Sequence, residues 1–206
     1  MEKDGGTCTD MVTGVVGKSC SGKDSAVRYL VRNGFHEINV DHLGHEALEV
    51  KKEELRAAFG DGIFTDGHVN RKILGPIVFS DAEKLETLNG ITHPWMTEEV
   101  KRLIGEHENT CINAALLESM GLVPLCDEVL YVFAPLEMRT ERALLRDGIT
   151  REGFLKRDAN QKNIGLTLLE SGRRVITIIN DKDEEYLYRQ LSMYCDRLKS
   201  RGYING

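Results

Sequence analysis

The sequence contains no run approaching the ~20 apolar residues of a membrane span, and no apolar N-terminal stretch of the signal-peptide kind. A membrane partner is therefore not expected. It also lacks a basic excess: the formal net charge is −6, so the broad positive field of a general nucleic-acid or membrane-surface binder is missing. A phosphate ligand needs only a local basic pocket and stays open. The five cysteines (Cys8, Cys20, Cys111, Cys126 and Cys195) are odd in number, widely spaced and without a C-x-x-C pair. Neither a disulfide framework nor a zinc site is expected, and a reducing cytoplasm is the compartment that fits. Internal repeats and low-complexity tracts are absent as well. What remains is ordinary globular composition, 41% hydrophobic and 29% charged. A chain of this length buries ~70% of its unfolded surface without a covalent or metal staple. One core domain with insertions suits 206 residues better than two independent domains.

Short apolar segments alternate with helical ones. The polar MEKDGGTCTD reads as a frayed lead-in. Met11 to Val16 reads as a buried strand, and it runs straight into GKSCSGKDS and then into AVRYLVRNG, which has helical spacing and a closing glycine. Further strands are expected at Phe35 to Val40, Thr110 to Leu117, Glu128 to Phe133 and Val175 to Ile179. Leu43 to about Glu108 is helix-rich, broken at FGDGIFTDGHVN. This alternation predicts an α/β fold, a three-layer α/β/α arrangement around a parallel sheet. Ligands of such sheets bind at the carboxyl ends of the strands. Lys23, Asp41, Glu118 and Asn180 fall there.

Gly17-x-x-x-x-Gly22-Lys23 matches the phosphate-loop frame G-x-x-x-x-G-K-S/T, with Asp24 in the hydroxyl position. Glycine lets successive backbone N–H groups face one anion, the following helix adds its N-terminal partial charge, and lysine adds a full one. The strand-loop-helix context is what the frame requires. Asp24 and the adjacent Ser25 are candidate Mg²⁺ ligands; without the metal, Asp24 repels a triphosphate. Alone, the loop predicts phosphate binding and no specific reaction.

With the loop placed, the chain resembles the dephospho-coenzyme A kinase family over nearly its full length. The carriers, in order, are the following stretches. Asp41-His42-Leu43-Gly44-His45 is similar to the family's D-x-D-x-x-x-R/H segment, at matching distance from Lys23. FGDGIFTDGHVNRKILGPIVFSD, His93-Pro94 and AALLES with Glu118 follow, and then Arg142-x-x-x-Arg146-Asp147, Gln161 and Asn180. Departures from the pattern are Asp24, Asn39 for the first aspartate of D-x-D, Ala115 for a proline, and the missing aspartate before the last strand.

The resemblance implies a P-loop kinase that uses ATP and Mg²⁺ to phosphorylate the ribose 3′-hydroxyl of dephospho-coenzyme A. It implies a core at about 10–42, 109–136 and 166–206, a helical substrate-binding insert at about 43–108 and a lid at about 137–165. Cys20, Ser21, Gly22, Lys23, Asp24, Ser25, Arg146 and Asn180 are then expected at the nucleotide, with Lys23, Arg142 and Asp41 catalytic. Asp41, His45, Arg71, His93 and Glu118 are expected at the acceptor. Each has a blander alternative. Asp41 suits a helix cap; Arg139, Arg142 and Arg146 share a helix face that is solvated by default. Arg71 can pair with Asp66, Glu118 can fix a loop, and His93 can pack at a helix start. The rival functions are another small-molecule or nucleoside monophosphate kinase, and a nucleotide-binding regulatory module with weakened catalysis. The sequence does not distinguish a monomer from a weak homo-oligomer.

Overall fold

The computed structural model describes residues 10–161 and 164–204; most of the polar lead-in lies outside them. In chain order, β1 (Met11–Val16) leads through the glycine loop to α1 (Lys23–Arg32) and β2 (His36–Asn39). Helices α2 (Val40–Val50) and α3 (Lys52–Phe59) follow, then a two-stranded hairpin, β3 (Phe64–Thr65) and β4 (His68–Val69). Next come α4 (Arg71–Phe79), α5 (Ala82–Glu106), β5 (Asn109–Asn113), β6 (Glu128–Phe133), α6 (Leu136–Asp147), α7 (Arg151–Ala159), β7 (Arg174–Ile179) and α8 (Glu184–Ser200). No helix among the described residues is long and apolar enough to cross a membrane.

The chain divides into two compact units, one running through Ile38 and resuming at Leu103, the other Asn39–Arg102. The first is built on a five-stranded sheet in the order β2-β5-β1-β6-β7, in which β5–β1, β1–β6 and β6–β7 pair in parallel. All six residues of β1 are buried, as the middle strand of a sheet covered on both faces must be. Met11 and Val15 join one core cluster with Ala26, Val27 and Leu30 of α1 and Leu187, Leu191 and Leu198 of α8. Thr13, on that same face, spends its hydroxyl on Tyr194 Oη at 2.8 Å. On the alternate face a side chain at Gly14 would strike Leu117 Cδ2 at 2.7 Å, so glycine allows the 117–126 segment to close over the sheet. Glu128 is buried and takes both oxygens to the Arg197 guanidinium of α8, which satisfies a charge that burial alone would penalise.

The expected strands stand, with differences of extent: β2 is shorter at both ends, Val40 already opening α2, β5 and β7 start one residue earlier, and β5 ends sooner. β5 stops at Asn113: the Ala114 N–H makes the last bond to β1, on Val15 O, and the chain then turns through Leu117–Leu122. In the second unit, the FGDGIFTDGHVN break is a short 3₁₀ turn and the β3–β4 hairpin, whose Asp66-Gly67 corner has φ of 51° and 81°. Two consecutive positive φ values are what a tight hairpin of right-handed twist demands. Leu55, Ile63, Val69, Leu74 and Val78 form that unit's core.

Leu30 is fully buried between the sheet and α8. Leu30→Ala is expected to cost ~2–5 kcal/mol, through lost transfer energy and the cavity left behind. Urea unfolding of the variant measures it, and a loss under about 1 kcal/mol contradicts the placement of α1.

Candidate nucleotide site

β1 ends at Val16 and α1 begins at Lys23, so Gly17–Gly22 must reverse the chain within six residues. Two features let it. Gly22 sits at φ 96°, where a Cβ would collide with Asn180 Nδ2, and a Cβ on Gly17 would meet Ser21 Oγ at 2.5 Å. Glycine is required at both. Cys20 also takes a left-handed φ of 61°, which is costly for a residue with a side chain.

The loop's carbonyls are held from outside. Arg139 Nη1 donates to Ser19 O at 3.5 Å, Arg142 Nη1 to Cys20 O at 3.3 Å and Asn180 Nδ2 to Ser21 O at 2.7 Å. Asn180 is buried at the end of β7, fixed by its own N–H on Phe133 O at 2.7 Å, and its carbonyl and amide oxygens accept from Arg142 Nη2 at 3.2 and 3.3 Å. With three successive carbonyls tied to α6 and β7, the loop backbone is fixed in place, and the Ser19 N–H reaches Gln161 Oε1 at 2.8 Å. Lys23 Nζ donates to Asn113 Oδ1 at the end of β5 and lies 3.2 Å from Asp24 Oδ1.

Asp24 is exposed in the first turn of α1, and Ser25 Oγ accepts from Arg28 at 2.8 Å. A carboxylate and a hydroxyl are hard oxygen donors at a helix N-terminus, so the pair fits one or two protein ligands of an ion that keeps the rest of its shell as water and phosphate. No group of three or more His, Cys, Asp or Glu side chains that could hold a metal ion exists among the described residues.

A cavity of about 540 Å³ opens beside the loop, lined by Cys20, Gly22, Ser25, Arg142, Arg146 and Lys182 among others. A larger one, about 770 Å³, lies at the opposite strand ends, against Gly34, His36, His107 and Asn109. The smaller is the better nucleotide site, because it holds the glycine loop, the helix N-terminus and the carboxyl ends of the strands together.

The arginine face divides. Arg139 is buried, 2.5 Å from Asp158 of α7 and bonded to Ala134 O at 3.0 Å, so it clamps α6 to α7 and to the loop. Arg142 contacts the loop. Arg146 is exposed and forks onto Asp147, whose carboxyl Arg146 and then Arg157 hold down at about 2. Glu118 is spent as a loop anchor: it accepts from Gly165 N at 2.6 Å and from Thr167 N and Oγ1 at 2.9 and 2.5 Å.

The second unit carries four of the expected acceptor residues, Asp41, His45, Arg71 and His93, while Glu118 belongs to the first. Asp41 lies in the first turn of α2, where Asn39 is the cap, its Oδ1 accepting from His42 N at 3.0 Å. Asp41 is therefore neither the strand terminus nor the cap. One turn on, His45 Nε2 accepts from Arg71 Nη1, so His45 is neutral there. Burial, then Arg71 and His42, lower its pKa, while Asp41 opposes them. Arg71 thus meets His45 and not Asp66. His93 and Pro94 lie well inside α5 and not at a helix start; burial lowers the half-buried His93. Asn113, Glu37 and the structural weight of Arg139 were not legible as site features. The signal that could have found Asn113 is a buried amide at the carboxyl end of a strand, beside the phosphate loop.

A family model described as dephospho-CoA kinase matches residues 11–169. A dephospho-CoA kinase of Borreliella burgdorferi is 31% identical over 200 residues, covering 95% of each chain. One of Deinococcus radiodurans is 37% identical over 176 residues, 82% of each. Among solved structures, TT1252 from Thermus thermophilus superposes with a TM-score of 0.78 at 28% identity, covering 92% of this chain and 98% of that one. A dephospho-CoA kinase from Campylobacter jejuni gives 0.67 at 24% identity, 94% and 98%, a likeness of fold.

The left-handed Cys20 yields a prediction. A non-glycine residue there costs ~1–2 kcal/mol, and glycine returns roughly 0.5–1 kcal/mol of that to the unfolded chain. Cys20→Gly is therefore expected to raise stability by up to about 1 kcal/mol in urea unfolding. A clear loss shows that the Cys20 side chain contributes more than its backbone strain.

Proposed function

The chain belongs to the dephospho-CoA kinase family, and from that premise we propose how its residues divide the work. The reaction moves the γ-phosphoryl group of ATP to the ribose 3′-hydroxyl of dephospho-CoA, giving CoA and ADP, the last step of CoA biosynthesis. The observation that carries the assignment of roles is the loop itself, its carbonyls held by Arg139, Arg142 and Asn180, with Lys23 at its end.

Phosphoryl transfer asks for in-line positioning and neutralised charge more than for covalent chemistry. The backbone around Cys20, Ser21 and Gly22, with Lys23, holds the β- and γ-phosphates. Arg142 reaches the same loop through neutral oxygens, two carbonyls and an amide, so its full charge remains for the nucleotide. Arg146 lines the adjoining cavity and joins from α6 as that segment closes and excludes water. Asn180 fixes Ser21 and serves the nucleotide through the loop.

Asp24 and Ser25 are the residues that would hold Mg²⁺. The ion, when bound, neutralises phosphate charge. With the ion in place Asp24 would serve as a ligand; without it the carboxylate would repel the triphosphate.

Asp41 accepts or orients the ribose hydroxyl proton. His45, held neutral by burial and Arg71, and Arg71 itself offer a polar edge to the acceptor's phosphates, and His93 contributes a neutral imidazole. Glu118 serves the site at one remove, holding the 165–167 segment in place. Cys20, Cys111, Cys126 and Cys195 are all free thiols, which suits a reducing cytoplasm.

The test is an ATP-dependent assay on dephospho-CoA and on nucleoside monophosphates, with and without magnesium. Phosphorylation of dephospho-CoA alone, abolished with ATP affinity by chelator, is expected. Asp41→Asn is expected to lower turnover ~10²–10⁴-fold with ATP affinity nearly unchanged. Near-normal turnover of that variant removes Asp41 from its role, and equal ATP binding in chelator removes Asp24 from the metal.

A further inference from the structure

The phosphate-loop lysine does not stand alone. Its ammonium donates to Asn113 Oδ1, and Asn113 Nδ2 donates to Glu37 Oε1 at 2.7 Å. Asn113 is only 4% exposed, the last residue of β5, in register with Val15 of β1. Glu37 sits on β2, the neighbouring strand. The three residues come from three different elements of the first unit and form one chain, Lys23–Asn113–Glu37.

The order of the chain has chemical content. A carboxylate only accepts hydrogen bonds, so Glu37 fixes which way the Asn113 amide faces. The NH₂ group must point to Glu37, and the oxygen is thereby turned to Lys23. Lysine in turn only donates, and an amide oxygen is a neutral acceptor. Asn113 therefore holds the ammonium in place without cancelling its charge, while the carboxylate that enforces the geometry is kept one residue away. A carboxylate in direct contact at the same position would pair with Lys23 and compete with a phosphate. Cys111, two residues earlier on β5, does not add a second charge: burial first, and then Glu37, push its thiol up to about 12.

We propose that Asn113 and Glu37 are positioning residues for the transfer reaction, which hold Lys23 toward the ATP phosphates through a neutral acceptor on its buried side, while its charged contact, Asp24 at 3.2 Å, is exposed. The proposal rests on the reading that Lys23 binds those phosphates.

The decisive variant is the double substitution Glu37→Gln with Asn113→Asp. It keeps the net charge and both hydrogen bonds, since the new amide on β2 can donate to the new carboxylate on β5, which can accept from Lys23. Only the place of the negative charge changes, from one residue removed to direct contact. Thermal unfolding is expected to stay near that of the wild type, while titration with Mg²⁺-ATP shows about tenfold weaker affinity. Asn113→Ala, which removes the docking point, is expected to lower kcat about tenfold and to change the KM for dephospho-CoA less than twofold. A double variant that binds ATP like the wild type, or an Asn113→Ala enzyme with normal kcat, overturns the proposal. Lys23→Ala tests the premise separately: undiminished ATP affinity in that variant means that the role given to Lys23 is wrong, whatever Asn113 and Glu37 do.

Discussion

Three consecutive peptide carbonyls, those of Ser19, Cys20 and Ser21, are each held by a side chain from elsewhere in the fold. A loop this tight has no ladder of its own to satisfy its backbone, and a buried backbone oxygen without a partner is costly. Arg139 and Arg142 from α6 and Asn180 from the end of β7 supply the missing donors. In doing so they tie the loop to the sheet and to the segment that follows β6. The same contacts bring two guanidinium groups beside a lysine and a helix N-terminus. A protein with a formal net charge of −6 thus gathers Lys23, Arg139 and Arg142 around one loop, with Asp24 and Asp158 paired to two of them, and local geometry more than overall charge decides what a polyanion meets there.

The arrangement also explains why the arginine face could not be read from spacing. Arg139, Arg142 and Arg146 fall three and four apart, which places them on one side of α6 but says nothing of what covers that side. Arg139 is buried against Asp158 and Phe154, Arg142 spans the loop and β7, and Arg146 is solvated beside Asp147. Glu118 presents the same difficulty. Its partners lie 47 and 49 residues further along, a separation that no local pattern encodes.

What was legible followed from strong local rules. The strand Met11–Val16, the glycine loop and α1 emerged from one apolar run, the backbone freedom of Gly17 and Gly22, and helical spacing, and β6 matched its expected limits residue for residue. The Asp66-Gly67 hairpin corner was visible only as a break in helical pattern. Where two polar residues compete for one local task, pattern alone does not choose between them. Asn39 took the cap of α2, which moved Asp41 into the first helical turn. Asn113 and Glu37 escaped notice because they lie 76 residues apart in the chain, and only the sheet order brings β2 beside β5.

The proposed chemistry depends on where the nucleotide's phosphates touch the backbone. Amide hydrogen exchange, followed residue by residue with and without Mg²⁺-ATP, measures that contact directly. New protection concentrated in Lys18–Ser25 is the expected result, since those N–H groups exchange solvent for phosphate. Unchanged exchange there, with new protection at Gly34–His36 and Asn109 around the larger cavity at the opposite strand ends, would contradict it.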